Sequence, residues 1–445
     1  MLNCYPNYLM SYSQNKKENI LSNRKIISSF IDQPTIRVPG SKYLANRYIA
    51  LAALAKGSTK LLNVPLNDDI LTALKAIEVL GADVIIDGDS VYVEGIENFE
   101  CQKSAIINCN DSGTLSRFIT AVAANLSTPI TIDASEQMRQ RPMQEIVDAL
   151  KQLGVQVESN DGYFPISLQG PIEGGSCKLD ASRSSQFLSG LLIASLKAKN
   201  ETLLQLVGEL VSESYIELTL SAIKRFSGEV ERLNEREFLI RPQQNVVATS
   251  IEVASDVVSC SYFMAAALIA ETGIRIRNYD FNSLQGEAQF PKVLQLLGAS
   301  VEHDGDDLLI AYQKTLQGIE VDMGNMPDVV PTLTVIAAFA SGPTKITNIA
   351  HLAYKESNRI GDLCEQLKKA GVSCEYDDSS ITVFGEAMIR PERVSSCHDH
   401  RLAMSLALLG IKCPGLIVED AQAVEKSFPL YWQYLEDIGI KSKDI

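Results

Sequence analysis

The chain has little positive charge for its length. Its 445 residues include 40 Lys and Arg against 55 Asp and Glu, which gives a formal net charge of −15 at pH 7. Nucleic acids and anionic membranes are bound by surfaces that carry a net positive charge. The charge deficit therefore argues against both partners and favours a protein that acts on small molecules.

Patterns typical of metal sites and disulfides are also missing from the sequence. The four histidines, His303, His351, His398 and His400, do not stand at the spacing of metal ligands. The nine cysteines are odd in number, scattered and without a C-x-x-C pair, which is typical of reduced thiols in a cytoplasm. We therefore expect a cytoplasmic protein that needs no metal and no cofactor.

Long apolar runs are absent as well. No run reaches the roughly 20 apolar residues that cross a membrane, and residues 1–30, rich in Asn, Ser and Lys, lack the apolar core of a secretion signal. We expect residues 1–30 to be a poorly ordered extension with a short helix near Ile26–Ile31. With 46% hydrophobic residues, the rest of the chain is long enough for two domains.

One pattern occurs six times along the chain. Each copy begins with a polar turn that leads into a buried apolar helix, first at Val38–Leu51 (V-P-G-S-K-Y-L-A-N-R-Y-I-A-L). A short alternating strand follows, and an amphipathic helix closes the copy at a Leu-Gly-like corner. The six apolar helices are predicted at Tyr48–Ala55, Phe118–Ala124, Phe187–Leu196, Ser261–Ala270, Val329–Ala340 and Leu402–Leu409. The sequence therefore predicts six copies of one α/β unit.

Six units in two domains imply three units in each domain. The break is expected after the strand Arg236–Arg241, which gives a first domain of residues 41–250 and a second of residues 251–445. The isolated strand Thr35–Val38 allows two paths of the chain. In the first, the strand belongs to the first domain and the chain crosses between the domains once. In the second, the strand pairs with the second domain and the chain crosses twice, with hinges at Pro39-Gly40 and Val246–Ser250.

The starts of the six helices share one kind of chemistry. Unpaired N–H groups and the positive end of the helix dipole make each start attractive to anions. Polar residues collect at these starts: Lys42, Arg47, Thr114, Arg117, Ser184, Ser185, Gln186, Asp328, His400 and Arg401. Any one of them is most often a helix cap or a solvated charge, but the whole set predicts an anion-binding cleft.

Three further segments carry charged clusters. They are Met138–Pro142 (M-R-Q-R-P), Tyr354–Arg359 (Y-K-E-S-N-R) and Glu425–Pro429 (E-K-S-F-P). The second places Lys355 and Arg359 four residues apart, which predicts that both lie on one face of a helix. A solvated turn or a surface ion pair is the alternative for each segment.

Eight motifs, taken in order, resemble the EPSP synthase (3-phosphoshikimate 1-carboxyvinyltransferase) family. They are V-P-G-S-K-x-x-x-N-R, D-S-G-T-x-x-R, M-R-Q-R-P, S-S-Q-F-L, S-x-S-Y-I, M-P-D, Y-K-E-S-N-R and D-H-R-x-A-M, and they run from about Thr35 to the end of the chain. The resemblance implies an α/β (α+β) fold, a two-domain inside-out α/β barrel of six β-α-β-α-β-β repeats, three per domain. It also selects the double crossing, with residues 31–40 in the second domain and the active site between the domains.

The same resemblance implies a monomeric enzyme that transfers the enolpyruvyl group of phosphoenolpyruvate to the 5-hydroxyl of shikimate 3-phosphate. Carried over by motif, the phosphoenolpyruvate site consists of Lys42, Gly113, Arg141, Arg359, Arg401 and Lys426. The shikimate 3-phosphate site consists of Lys42, Tyr43, Arg47, Ser184, Ser185, Gln186, Ser212, Tyr215, Asp328 and Lys355. The catalytic residues are expected to be Asp328 as the base, Glu356 as the proton donor and Lys42 as a relay. Cations around Glu356 are expected to lower its pKa.

Two departures from the family pattern bear on the acceptor and phosphoenolpyruvate pockets, beside further departures at His351, Ala353 and Asn358, and two alternative functions stay open. Tyr43 stands where the family usually has Ser, and Asp111 where it usually has Asn. One alternative is transfer to another acceptor such as UDP-N-acetylglucosamine, but Asp133–Gln140 lacks the cysteine which that related family carries before Arg-Pro. The other is a non-catalytic ligand-binding homologue, against which the two carboxylates Asp328 and Glu356 argue.

Overall fold

The structure is a computed structural model, which describes residues 22–29, 32–99, 104–181, 184–208 and 213–445. The predicted site residue Ser212 lies outside these ranges. The α-helices described are Lys42–Leu54, Asp68–Val79, Gly113–Ala123, Glu136–Arg139, Gln144–Gln152, Ser185–Ala194, Glu213–Arg225, Val257–Ile269, Phe290–Leu297, Val330–Ala337, Gly361–Lys369, His400–Ala407 and Tyr431–Asp437. Short 3-10 helices lie at Ser195–Lys197, Gly286–Gln289, Pro327–Val329, Ala350–Tyr354, Leu408–Ile411 and Ala421–Lys426. Among the helices in these ranges, none is long and apolar enough to span a membrane.

The described strands form mixed four-stranded sheets that share one topology. In spatial order, each sheet has one parallel pair followed by two antiparallel pairs. Three sheets use strands Ser250–Glu252, Ser58–Leu62, Ser90–Glu94 and Asp83–Asp87; Ala105–Asn108, Ile130–Asp133, Tyr163–Gln169 and Gln156–Asn160; and Gly175–Asp180, Thr202–Val207, Glu237–Ile240 and Glu231–Asn234. Three more use Thr35–Ile36, Gly273–Ile276, Asp307–Ala311 and Ser300–Asp304; Glu320–Asp322, Thr344–Thr347, Ile381–Val383 and Cys374–Tyr376; and Arg393–Ser395, Ile417–Glu419, Arg24–Ser29 and Ile440–Asp444.

The six apolar helices occur where the sequence predicts them, and most begin before the apolar run, within its polar start. The first spans Lys42–Leu54, which includes the polar first turn that the sequence predicts, and its residues from Leu44 onward are buried. The fifth is shorter than predicted and spans Val330–Ala337. The corners that close the amphipathic helices adopt positive φ, as a left-handed cap requires; these residues are Gly81, Gly154, Ser227, Gly298, Gly371 and Gly439.

Two hydrophobic clusters fill the interior. The first core contains buried residues from Leu44 to Val253. The second core contains Ile26, Ile36, Val38 and buried residues from Val257 to Ile440. Since Val38 packs in the second core and Leu44 in the first, the chain passes from one core to the other and later returns.

The two passages between the cores are hydrogen-bonded to each other. Ser41 N donates to Ala254 O at 2.8 Å, and Asp256 N donates to Pro39 O at 2.9 Å. The side-chain amide of Asn63 donates to both passages, at 3.2 Å to Val38 O and at 3.0 Å to Val253 O. The close approach requires a glycine at position 40, because a Cβ there would lie 2.3 Å from Asn63 O.

The second hinge does not lie at Val246–Ser250, where the sequence predicts it. Residues Ser250–Glu252 form a strand that pairs in parallel with Ser58–Leu62, and Ile251 and Val253 pack in the first core. The boundary predicted between residues 250 and 251 therefore falls inside a strand. The return passage lies at residues 253–256, because the chain leaves the first core only after this pairing is complete.

The expectation for the N-terminal segment is wrong for residues 24–29. Arg24–Ser29 is a strand, not a helix or a loose extension, and it lies between Ile417–Glu419 and Ile440–Asp444, antiparallel to both. Ile26 is fully buried, whereas Ile27 is 45% exposed on the other face. Sequence reasoning missed the strand because its partners lie about 400 residues away along the chain.

We expect Ile26→Ala to destabilise the protein by about 2–5 kcal/mol, the cost of deleting a buried aliphatic side chain that contacts Gly410. The neighbouring substitution Ile27→Ala is the control, and we expect it to change the stability by less than about 0.5 kcal/mol. Chemical denaturation of both variants measures the difference. Equal effects would mean that the strand is not inserted in this sheet.

Candidate active site

The buried guanidinium of Arg359, 1% exposed, is the centre of the candidate site. Its Nε donates to Asp399 Oδ2 at 2.7 Å, its Nη1 to Asp328 Oδ1 at 3.1 Å and its Nη2 to Glu356 Oε2 at 2.7 Å. One buried cation thus binds three carboxylates from three segments of the second core. A buried charge needs such partners, since desolvation otherwise costs several kcal/mol.

Asp328 joins two of the predicted cations. It lies in the 3-10 helix Pro327–Val329, at the start of the apolar helix Val330–Ala337. Arg401 Nη2 donates to Asp328 Oδ2 at 2.7 Å, while Arg359 holds the other oxygen. Burial alone would raise the pKa of Asp328, but Arg401, Arg359 and more distant lysines lower it to about 2. Asp328 is therefore an ionised carboxylate held between two guanidinium groups.

Glu356 lies between Arg359 and Lys426. Lys426 Nζ donates to Glu356 Oε1 at 3.3 Å, on the side opposite the 2.7 Å bond from Arg359. Burial favours the neutral acid, but Arg359 and Lys426 outweigh it and lower the pKa of Glu356 below its ordinary value. The lowering that the sequence predicted is thus confirmed, and the cations responsible are identified.

The segment before Arg359 is not the predicted helix. The 3-10 helix Ala350–Tyr354 is followed by Lys355, which has an extended backbone, and the next helix begins at Gly361. Lys355 is consequently exposed while Arg359 is buried, so the two do not share a helical face. Lys355 still acts on the site, because its charge contributes to the low pKa of Asp328.

Sequence reasoning missed Asp399, which is fully buried beneath the site. Its carboxylate accepts bonds from Arg359 Nε, from Ser357 Oγ at 3.1 Å and from the backbone N–H of Arg401 at 2.8 Å. The last bond caps the helix His400–Ala407. An Asp directly before a helix start was the available signal, but it indicated only a cap.

Residues of the first core line the other side of the site. Lys42, the first residue of its helix, has its Nζ 3.7 Å from Asp69 Oδ2. The rings of Tyr43 and Tyr215 meet edge to face, with centroids 5.2 Å apart. The pKa of Tyr43 is raised by Tyr215, by burial and by Asp328 of the second core, while Arg401 opposes the rise. The two cores therefore bring their polar groups close to each other here.

Arg47 is almost fully buried and is hydrogen-bonded within the protein. It is 1% exposed, and its donors reach Thr219 Oγ1 at 2.9 Å, Tyr43 O at 2.8 Å and Tyr215 O at 3.0 Å. Burial lowers its pKa to about 10. Arg47 therefore ties together the backbones of the two tyrosines, and two of its five N–H groups are left for other acceptors.

A second polar group lies at the start of the helix Gly113–Ala123. Arg117 Nη1 donates to Gln186 Oε1 at 2.7 Å, and Gln186 Nε2 donates to Thr114 Oγ1 at 3.0 Å. A Cβ on Gly113 would lie 2.9 Å from Arg117 Nη1 and 3.3 Å from Arg141 Nη1. Burial and Arg141 lower the pKa of Arg117 to about 10, so two guanidinium groups face each other above Gly113.

The remaining predicted residues have simpler surroundings. Ser184 caps the helix Ser185–Ala194 by accepting a bond from the backbone N–H of Gln186, and Ser185 is buried in the first turn. Asp111, one of the departures from the family pattern, is exposed and bonds to Ser135. Within the described ranges, no group of three or more His, Cys, Asp or Glu side chains is placed to hold a metal ion.

Glu287 is the second residue that sequence reasoning missed. It lies in the short 3-10 helix Gly286–Gln289, is 7% exposed, and its Oε1 accepts the backbone N–H of Asp328 at 3.4 Å. Burial, followed by the charge of Asp328, raises its pKa to about 7. The site thus contains two neighbouring carboxyl groups, Glu287 and Asp328, whose pKa values are shifted in opposite directions.

Three comparisons with known proteins agree with one another over most of the chain. A family model described as EPSP synthase (3-phosphoshikimate 1-carboxyvinyltransferase) matches residues 33–435. A curated 3-phosphoshikimate 1-carboxyvinyltransferase from Proteus mirabilis is 34% identical over 411 residues, which are 91% of this chain and 96% of that protein. Another, from Methanosphaerula palustris, is 34% identical over 407 residues, 90% of this chain and 96% of that one. The solved structure of EPSP synthase from Acinetobacter baumannii superposes with a TM-score of 0.85 at 25% identity, covering 95% of this chain and all of that chain.

We expect Asp399→Ala to lower the free energy of unfolding by about 3–5 kcal/mol, because it leaves the buried Arg359 without its fully buried partner. The matched control is Glu419→Ala, which breaks the exposed pair with Arg393 and should lower it by no more than about 1 kcal/mol. Urea denaturation compares the two variants. An effect of Asp399→Ala as small as that of the control would contradict the central place given to Arg359.

Proposed function

The chain belongs to the EPSP synthase family, and from that membership we infer that it transfers the enolpyruvyl group of phosphoenolpyruvate to the 5-hydroxyl of shikimate 3-phosphate, releasing phosphate. The product, 5-enolpyruvylshikimate 3-phosphate, leads along the shikimate pathway to chorismate and the aromatic amino acids. The observation that carries this inference is the cluster of Arg359, Arg401 and Lys426 around Asp328 and Glu356. It combines cations for two polyanionic substrates with the carboxylates that proton transfer needs.

We propose that phosphoenolpyruvate is bound by cations from both cores. Arg359, Arg401 and Lys426 lie together in the second core, and Arg141 lies next to Gly113 in the first. Planar guanidinium groups suit the carboxylate and phosphate of this substrate, since each forms two parallel hydrogen bonds to such a group. The donor site then comprises Lys42, Gly113, Arg141, Arg359, Arg401 and Lys426.

Shikimate 3-phosphate is proposed to bind mainly to the first core. The hydroxyls at the start of the helix Ser185–Ala194 supply neutral donors near a helix N terminus, where a phosphate is favoured. Tyr43 and Tyr215 supply ring surface and phenol groups beside Asp328. The acceptor site then comprises Lys42, Tyr43, Arg47, Ser184, Ser185, Gln186, Ser212, Tyr215, Asp328 and Lys355.

Binding of phosphoenolpyruvate would activate both catalytic carboxylates. Each oxygen of Asp328 bonds to a guanidinium group that is proposed to bind this substrate, and Glu356 is paired with Arg359 and Lys426. When the substrate anions take these cations, both carboxylates lose partners that lower their pKa. Asp328 becomes a stronger base for the 5-hydroxyl, and Glu356 becomes able to hold a proton for donation.

The proton balance of the reaction needs both groups. As the substrate oxygen bonds to C2 of phosphoenolpyruvate, its proton passes to Asp328, and a proton from Glu356 is added to C3. The C2–O bond to the phosphate then breaks, C3 returns one proton to Glu356 as the double bond is restored, and Asp328 gives its proton to the departing phosphate. The net reaction consumes no proton, so one base and one acid suffice, with Lys42 as a relay near the carboxylates.

We also propose the finer architecture and setting that the family implies. Three units around each core would form the two halves of an inside-out α/β barrel, with the active site between them. The first domain would comprise residues 41–253 and the second residues 24–40 plus 254–445, boundaries adjusted to the strand pairings. We propose a monomer in the cytoplasm that works without a metal or a cofactor.

A phosphate-release assay with phosphoenolpyruvate tests the function. We expect release to depend on shikimate 3-phosphate and not on UDP-N-acetylglucosamine, the acceptor of the alternative transferase. Asp328→Asn should lower kcat by about 10²–10⁴-fold, the usual contribution of general base catalysis. Phosphate release with UDP-N-acetylglucosamine but not with shikimate 3-phosphate would mean that UDP-N-acetylglucosamine is the acceptor. Binding of both proposed substrates without phosphate release would favour a non-catalytic ligand-binding protein.

We expect Arg141→Ala and Lys426→Ala to weaken phosphoenolpyruvate binding by roughly 1.5–3 kcal/mol each, the worth of one charge-assisted hydrogen bond. Binding of shikimate 3-phosphate should be nearly unchanged. Arg139→Ala is the matched control from the same motif, because Arg139 pairs with Asp133 and should not contribute to binding. Titration calorimetry measures all three variants. Equal losses for both ligands, or an equal loss in the control, would contradict this division of the site.

A further inference from the structure

Glu287 is fixed against the segment that carries Asp328. Its carboxyl oxygen accepts the Asp328 N–H at 3.4 Å, and the side chain is 7% exposed. The adjacent Gly286 packs directly on the loop before Asp328, since a Cβ at this position would lie 1.7 Å from Asn325 O. The two backbone segments therefore touch, and a change at Glu287 would be transmitted to Asp328 through its main chain.

The groups around Glu287 favour its neutral form. Asp328 lies on one side, and the phenols of Tyr215 and Tyr279 lie close enough for Glu287 to raise the pKa of each. Arg401 is the cation that opposes this effect. However, Arg401 already donates to Asp328 at 2.7 Å. The backbone N–H groups of Glu287 and Asp328 also favour the ionised form, but burial and the neighbouring carboxylate outweigh all three influences, and the pKa of Glu287 rises to about 7.

We propose that Glu287 is a positioning residue for Asp328, and that it performs this role as the neutral acid. As a neutral acid it accepts the N–H of Asp328 without adding a second negative charge beside the carboxylate. When Glu287 ionises, the added charge repels Asp328, competes for Arg401 and disfavours the anionic substrates. Ionisation of Glu287 therefore sets the upper pH limit of turnover. This inference rests on the proposed role of Asp328 as the base.

The first test is the pH dependence of kcat in the phosphate-release assay. We expect kcat of the wild type to fall as pH rises above about 7. Glu287→Gln keeps a neutral acceptor of the same shape, so its kcat should stay within about twofold of the wild type at pH 6 and should lack this fall. Glu287→Ala removes both the acceptor and the ionisable group, so its kcat should be about tenfold lower than that of the wild type at pH 6 and should also lack the fall. Asp280→Asn, which alters a half-buried carboxyl of raised pKa near this segment, should keep the wild-type profile.

The second test is thermal stability, which does not require turnover. The folded-state pKa of Glu287 lies above the unfolded value, so the stabilisation from its bound proton is present at acidic pH and is lost as pH rises to about 7. Melting temperatures of the wild type and Glu287→Gln should therefore move apart between pH 5 and pH 8, with the variant gaining relative to the wild type.

The outcomes separate this inference from the proposed function. A Glu287→Gln variant that loses activity like Glu287→Ala, or one that keeps the fall above pH 7, would overturn the role of the neutral acid. Constant spacing of the melting temperatures between pH 5 and pH 8 would do the same. If the wild type releases no phosphate with shikimate 3-phosphate, the proposed function fails, while the stability test still decides the protonation state of Glu287.

Discussion

The candidate site depends on the hydrogen-bonded ion pairs around the guanidinium of Arg359. Arg359 is almost fully buried, and Asp399, Asp328 and Glu356 supply its counter-charge. Asp399 also caps the helix that carries Arg401, so placement of one cation helps to place the other. The two arginines share Asp328, which explains why a strongly desolvated carboxylate stays ionised. Removal of any member would leave a buried charge without its partner.

This constraint also explains how an acidic protein provides a site for anions. The formal charge of −15 describes the whole surface, whereas substrate binding depends on charges within a few ångströms in a region shielded from water. In the described structure, Arg359, Arg401 and Lys426 are paired with carboxylates, and the anionic groups of a substrate can compete for these cations. These pairs reduce the cost of burying Arg359 and Arg401 in the free protein.

Local patterns in the sequence were enough to predict the repeated unit, because each signal lies within one helix or strand. Turn residues, apolar runs and glycine corners identified the six units, and the motifs brought Asp328, Glu356, Arg401 and Lys426 into one predicted site. The features that were missed depend on residues far apart in the chain. Arg359 and its partner Asp399 are 40 residues apart, and Glu287 and Asp328 are 41 residues apart. The spacing of Lys355 and Arg359 indicated a helix, but the three-carboxylate environment of Arg359 requires a different backbone.

The inserted strand Arg24–Ser29 has a consequence for synthesis of the chain. It pairs with Ile440–Asp444, and its Arg24 side chain bonds to Asp444, 420 residues further on. Contacts between such distant residues form late, because closing a long loop costs entropy before the contact stabilises anything. On the ribosome, the earliest of these strands must therefore wait for the last one to emerge. Until then the sheet has exposed strand edges, and its completion places Arg24–Ser29 between Ile417–Glu419 and Ile440–Asp444.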